Sequence, residues 1–100
     1  MLAAVHVPWS AQAADEDEQA VLALEKRCEE AREARLKPLR EAEIAKCKAN
    51  KRNDPDYCER FWRDYGNPVR LPNGRMSPRL LDDLPECVAA YRARRALAFK

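Results

Sequence analysis

The stretch CKANKRNDPDYC, Cys47–Cys58, places two cysteines equally far from the Arg52–Asn53 bond, with a polar, turn-like run between them. Asp54 followed by Pro55 reads as a helix start. An aspartate side chain accepts from the first unpaired amides, and proline at the first helical position gives up an N–H that has no partner there. One helix therefore ends near Asn50 and the next begins at Pro55. In an antiparallel hairpin, residues equidistant from the turn face each other, so the spacing favours a Cys47–Cys58 disulfide and leaves Cys28 to pair with Cys87. Cys28 and Cys47 lie on one helical stretch, where ~1.5 Å per residue sets them roughly 28 Å apart. A disulfide needs Cα atoms about 4.4–6.8 Å apart, so that pairing would require the helix to fold back at Pro38. Cys28–Cys58 with Cys47–Cys87 stays open and needs a different crossing.

Upstream of the turn, Val21, Leu24, Cys28 and Ala31 recur at spacings of three and four, one helical face. Arg35 breaks the stripe, and Leu36, Leu39, Ile44 and Cys47 resume it with a shift. Asp15, Glu16, Asp17 and Glu18 suit a helix start, and Lys46 and Lys48 suit its end, matching the helix dipole. Pro38 sits inside this run. A proline in a helix interior costs about 3 kcal/mol or more, so the sequence predicts a kink near Leu36 or two helices almost in line.

Downstream, Tyr57, Phe61 and Tyr65 are spaced by four, with Cys58 and Trp62 in a parallel row one position on. On a helix from Pro55 to about Tyr65 all five project over one broad face. The reading favoured by that pattern is an aromatic core around the disulfide; a ligand platform would require the same rings to be exposed. Residues 66–82 hold both glycines and Pro68, Pro72 and Pro78 and read as a loop, yet Val69, Leu71, Met76, Leu80 and Leu81 are too apolar for a solvated linker. The loop is expected to lie back across the helices. Asp83 and Glu86 suggest a capping box, with Pro85 in the first turn of a third helix that carries Leu84, Cys87, Val88 and Tyr91 on one face. The fold class is thus all-α: a disulfide-stapled helical hairpin plus a third helix, the first helix long and kinked near Pro38.

Residues 1–13 resemble the end of a secretory leader. Leu2–Val7 is a short apolar run broken by Pro8, and Ala11-Gln12-Ala13 offers small residues to a signal peptidase. Cleavage after Ala13 leaves residues 14–100 as a single small helical domain and removes His6, the only histidine. The chain is then expected to be periplasmic or secreted, where an even cysteine count means disulfides. Large apolar side chains are few, so a domain this size needs such staples.

Catalytic and metal chemistries find little support. The cysteine spacings lack the close pairs of a structural zinc site or a C-x-x-C redox motif. Asp82 and Asp83 are better placed to cap a helix than to act as acid and base. No cofactor, metal or catalytic residue is assigned. A formal net charge of +2 is too slight a bias to predict nucleic-acid binding. Two basic groups could contact anions: Lys46, Lys48, Lys51 and Arg52 around the first turn, and Arg92, Arg94 and Arg95 near the C-terminus, where Leu97 and Phe99 add apolar contact. Self-association through the long charged first helix is a further expectation.

The runs AKCKANKRNDPDYCERFWRDYG and LLDDLPECVAAYRA resemble a group of small exported proteobacterial proteins of unassigned activity. The likeness spans roughly Cys28 to Arg94 and rests on Cys47, Cys58, Tyr65, Gly66, Leu84, Pro85 and Cys87. A fainter similarity to the mitochondrial twin-cysteine hairpins carries only the idea of a stapled hairpin, since those use equal nine-residue gaps on both helices and this chain does not. The expectation is a non-enzymatic structural or interaction protein of the bacterial envelope, with an unknown protein partner; the alternative is a peripheral binder of anionic lipid or polymer.

Overall fold

The computed structural model describes residues 9–99, with side chains from Ala13 onward. The described residues hold three helices: α1 (Trp9–Ala49), α2 (Pro55–Trp62) and α3 (Pro85–Ala98). α1 is a spine, and the rest of the chain runs back along it in the opposite direction. α2 lies beside the α1 C-terminal end, the 66–80 segment beside its middle, and α3 beside its N-terminal half. The molecule is accordingly elongated, 80 × 28 × 26 Å.

The leader expected at residues 1–13 falls mostly outside the described residues; its described part, from Trp9, is helical and continuous with α1. The helix therefore starts earlier than the acidic run Asp15–Glu18 suggests, because the alanine-rich approach to that run favours helix. No interruption occurs at Pro38, which lies inside a single 41-residue helix. Contacts on either side of it hold the backbone in place: Leu36 is fully buried, and Arg40 is bonded across to the returning chain.

Both favoured disulfides are present, Cys47–Cys58 with Cα atoms 5.7 Å apart and Cys28–Cys87 with Cα atoms 4.4 Å apart. Asp54 caps α2 as its sequence requires, accepting from the Asp56 amide, and Pro55 follows. At the same turn Lys48 reaches Glu59 across the hairpin at 2.5 Å. The capping box expected at Asp83 and Glu86 does not form. Pro85 occupies the first helical position and forces Leu84 into extended backbone (φ −60°, ψ 144°), so Leu84 becomes the N-cap. Its side chain has nothing to cap with and packs instead against Cys28, Cys87 and Ala90, the core beneath α3.

The buried stripe of α1 passes through Val21, Cys28, Arg32 and Leu36. It does not break at Arg35, which points away, nor shift to Leu39, which is exposed. An arginine stands where periodicity calls for an apolar residue. Arg32 is 0% exposed and bonded on all sides: Nε donates to Leu80 O (2.9 Å), Nη1 to Glu29 Oε2 (2.9 Å) and Asn67 Oδ1 (3.0 Å), and Nη2 to Gly66 O (2.6 Å). One turn beyond Leu36, Arg40 Nε donates to Tyr65 O at 2.8 Å while its guanidinium grips Glu33. Two arginines flanking Leu36 thus take the consecutive carbonyls of Tyr65 and Gly66, just past the end of α2. The carbonyl end of a helix is its negative pole, so cations belong there.

Gly66 sits directly on Leu36 with φ +96°. A Cβ built at Gly66 would fall 2.8 Å from Leu36 Cδ1 and closer still to Cδ2. Gly66→Ala is therefore expected to cost about 2 kcal/mol, from left-handed backbone plus overpacking. Urea denaturation reads this out; Gly74→Ala, where a Cβ meets nothing within 4 Å, would pay only the backbone part.

The 66–80 segment is a closed hairpin-like loop. Leu80 N donates to Gly66 O (3.0 Å), Ser77 N to Val69 O (2.8 Å) and Leu71 N to Arg75 O (2.7 Å), around an isolated Arg70–Met76 bridge. It does lie against α1, but through the polar neck that Arg32 holds. Val69, Leu71 and Met76, expected to pack inward, stay exposed because the hairpin closes on itself. Arg79 reinforces the neck, pairing with Glu29 and Asp82. Leu81, at φ +67°, marks the exit from this knot, a conformation that costs a non-glycine residue about 1 kcal/mol or more.

Carboxylate–guanidinium pairs close the α1–α3 contact. Arg94 Nη1 donates to Glu18 Oε2 at 2.6 Å and Nη2 to Glu25 Oε1 at 2.7 Å. The Arg94 bond holds Glu18 below the usual carboxylate range, and the Arg40 bond does the same for Glu33. A carboxyl whose pKa is lower folded than unfolded stabilises the fold above its unfolded value and loses that contribution as pH falls through the folded value. The melting temperature is thus expected to hold down to about pH 5 and to fall below about pH 4. Arg94→Gln should flatten part of that decline. Both carboxylates are about half-exposed, so solvent screening keeps the effect small.

Candidate interaction face

The aromatic residues of α2 do not form a core. Tyr57 is 48% exposed, Phe61 59% and Tyr65 38%, with Trp62 half-buried among them. The reason is the length and direction of the returning chain. α2 is only two turns long and uses Cys58, fully buried, as its contact with α1. The turn after Trp62 leads straight to Gly66 on Leu36, so no element is left to cover the rings. They support one another instead. Tyr57 and Phe61 have centroids 5.6 Å apart, and Trp62 meets Phe61 (5.2 Å) and Tyr65 (5.4 Å) edge to face. Such pairs are worth roughly 0.5–1.5 kcal/mol beyond burial and preset the geometry of the face.

Between this aromatic ladder and the 66–80 hairpin lies a half-open groove of about 690 Å³. Phe61, Trp62 and Tyr65 line it from the α2 side, and Val69, Leu71 and Pro78 from the hairpin. Its position is fixed by the clamp on the opposite side of the backbone, since Arg40 and Arg32 hold the Tyr65 and Gly66 carbonyls. Arg60, Asp64 and Arg70 also line the groove. Among the described residues neither Arg60 nor Arg70 makes an ion pair, whereas the charge of Asp64 acts on Arg40. Ser77, also in the lining, has its hydroxyl engaged with the Val69 amide and the Asn67 carbonyl. The arrangement suits binding: apolar walls, pre-set rings and two uncommitted guanidiniums.

The two basic groups meet different fates. Lys46 pairs with Glu43, Lys48 with Glu59 and Arg94 with Glu18 and Glu25. Lys51, Arg52, Arg92 and Arg95 are exposed without an ion pair among the described residues. The first two stand at the α1–α2 turn and the others on α3, which lies beside the far half of α1, so they do not merge into one patch. Among the described residues no cluster of three or more His, Cys, Asp or Glu side chains is placed to hold a metal ion, and no helix is long and apolar enough to cross a membrane.

Sequence periodicity found the aromatic residues and missed both the hairpin wall and the arginines that position it. Val69 and Leu71 carried a signal, their apolarity in a loop. Arg32 carried one too: it lies four residues from both Cys28 and Leu36 on the buried face. No family model, curated protein or solved structure matches the chain.

Proposed function

We propose that the protein is a non-enzymatic interaction protein exported to the bacterial envelope, a stapled rod that presents the α2–hairpin groove to a partner. The observation that carries this reading is the exposure of a connected aromatic ladder, with Phe61, Trp62 and Tyr65 in mutual contact, on a highly charged chain. A contiguous exposed apolar surface on a small charged protein marks a binding site. Export accounts for the two disulfides and for the leader-like residues 1–13, and the resemblance centred on Cys47, Cys58 and Cys87 fits the same setting. Photo-crosslinking in cells tests it. A photoreactive residue at Phe61 or Leu71 is expected to yield a discrete adduct, and one at Leu22 or Leu39, equally exposed on α1, is not. Equal labelling at all four positions, or none, contradicts the reading.

A second reading, peripheral binding to anionic lipid or polymer, is supported by the four unpaired bases Lys51, Arg52, Arg92 and Arg95. It requires binding to anionic vesicles that weakens steeply with salt.

A further inference from the structure

The groove carries a more specific assignment, which rests on its being the working surface. We infer that it binds a small amphiphilic anion: one apolar body, such as an alkyl chain, bearing a single carboxylate-like head. Three observations lead there. The volume of about 690 Å³ lies within the range of small-molecule sites, roughly 300–1,000 Å³. The walls are apolar, with Phe61, Trp62 and Tyr65 facing Val69, Leu71 and Pro78. The ionic lining consists of Arg60 and Arg70 against Asp64, an excess of one positive charge, and the two guanidiniums have no ion-pair partner among the described residues.

The charge pattern selects the ligand. A neutral apolar molecule would leave both guanidiniums unused, and a cation would meet a net repulsion. An anionic head receives charge-assisted hydrogen bonds, which guanidinium forms with a carboxylate in bidentate geometry. Asp64 offsets one of the two guanidiniums and leaves the groove with one positive charge in excess. Concavity favours a single molecule lying between helix and hairpin over a flat bilayer surface. The aromatic contacts at 5.2 and 5.4 Å hold the platform in place before a ligand arrives, which lowers the ordering cost of binding.

Isothermal titration calorimetry on the oxidised protein tests the assignment with three probes that share a dodecyl-length chain, each below its micelle concentration: laurate, dodecyltrimethylammonium and dodecyl maltoside. One laurate per chain is expected to bind, about tenfold or more tighter than either other probe. Arg60→Gln combined with Arg70→Gln should abolish that preference, and Trp62→Ala should weaken all three probes. Lys51→Gln with Arg52→Gln should change nothing. The arginine positions are exposed, so an unchanged melting temperature verifies the fold of those variants. Equal affinity for all heads, or laurate binding indifferent to Arg60 and Arg70, overturns the assignment. So does binding to phosphatidylglycerol vesicles through Arg60 and Arg70 without monomeric laurate binding, which would identify a bilayer as the occupant. Absent laurate binding alongside a specific Phe61 crosslink would overturn the ligand class alone and leave the interaction role standing.

Discussion

Arg32→Met is expected to destabilise the protein by about 3 kcal/mol and to free the neck of the 66–80 hairpin. The side chain is wholly buried and donates four hydrogen bonds to groups from three parts of the chain. Each hydrogen bond to a charged group contributes roughly 1.5–3 kcal/mol, and the cost of desolvating the guanidinium offsets much of the sum. Methionine fills part of the volume and satisfies none of the acceptors, so the Leu80 and Asn67 oxygens lose a partner. Lysine keeps the charge but offers one ammonium where a planar fork reaches several acceptors in different directions, so Arg32→Lys should recover less than half of the loss. Urea denaturation gives the magnitude. Hydrogen exchange at the Leu80 amide, which donates to Gly66 O, gives the location, and it should accelerate in both variants. Arg35→Met, one helical turn away and exposed, is the control and should change stability by less than about 0.5 kcal/mol. If Arg32→Met were as stable as the parent, the arginine would be a replaceable filler and not the pin of the returning chain.

Removing Cys28–Cys87 by a double change to serine is expected to cost more still, about 4 kcal/mol, against about 3 kcal/mol for Cys47–Cys58. In the chain-entropy model the difference follows from loop length, with sequence separations of 59 and 11 residues. The structural consequence differs as well. α2 has further ties to the spine through Lys48, Arg40 and the neck. α3 is tied to the spine by the cluster of Leu24, Leu84 and Ala90 around the disulfide and by the half-buried Arg94 pairs. Loss of Cys28–Cys87 should therefore release α3 first. Limited trypsinolysis at Arg92 and Arg95 should become faster than in the parent, while cleavage at the exposed Lys51 and Arg52 of the α1–α2 turn should keep the parent's rate.

These two results would also mark the limits of what the residues alone disclose. The hairpin was legible because three local signals agree: the symmetric cysteines, the Asp54-Pro55 start and the polar turn. The third helix was legible from Pro85 and the apolar spacing after it, although its capping was not, since the constraint proline places on Leu84 outweighs the Asp83–Glu86 pattern. Arg32 was illegible to any scheme that marks arginine as surface. Only the arrival of two backbone carbonyls, from residues 34 and 48 positions away, with the Asn67 side chain beside them, makes its burial favourable. The exposure of the aromatic rings was misjudged for a related reason. Spacing shows that side chains share a face, but what covers that face depends on the path of the rest of the chain, and here Gly66 locks that path onto Leu36 before anything can return over α2.

Disulfide mapping of the oxidised protein, digested without reduction and without opportunity for exchange, tests the account most directly. The account predicts two linked peptide pairs, one joining Cys47 to Cys58 and one joining Cys28 to Cys87, with no free thiol. A Cys28–Cys58 or Cys28–Cys47 linkage, or four unpaired thiols, would contradict the antiparallel return of the chain along α1 on which the clamp, the groove and its proposed ligand all depend.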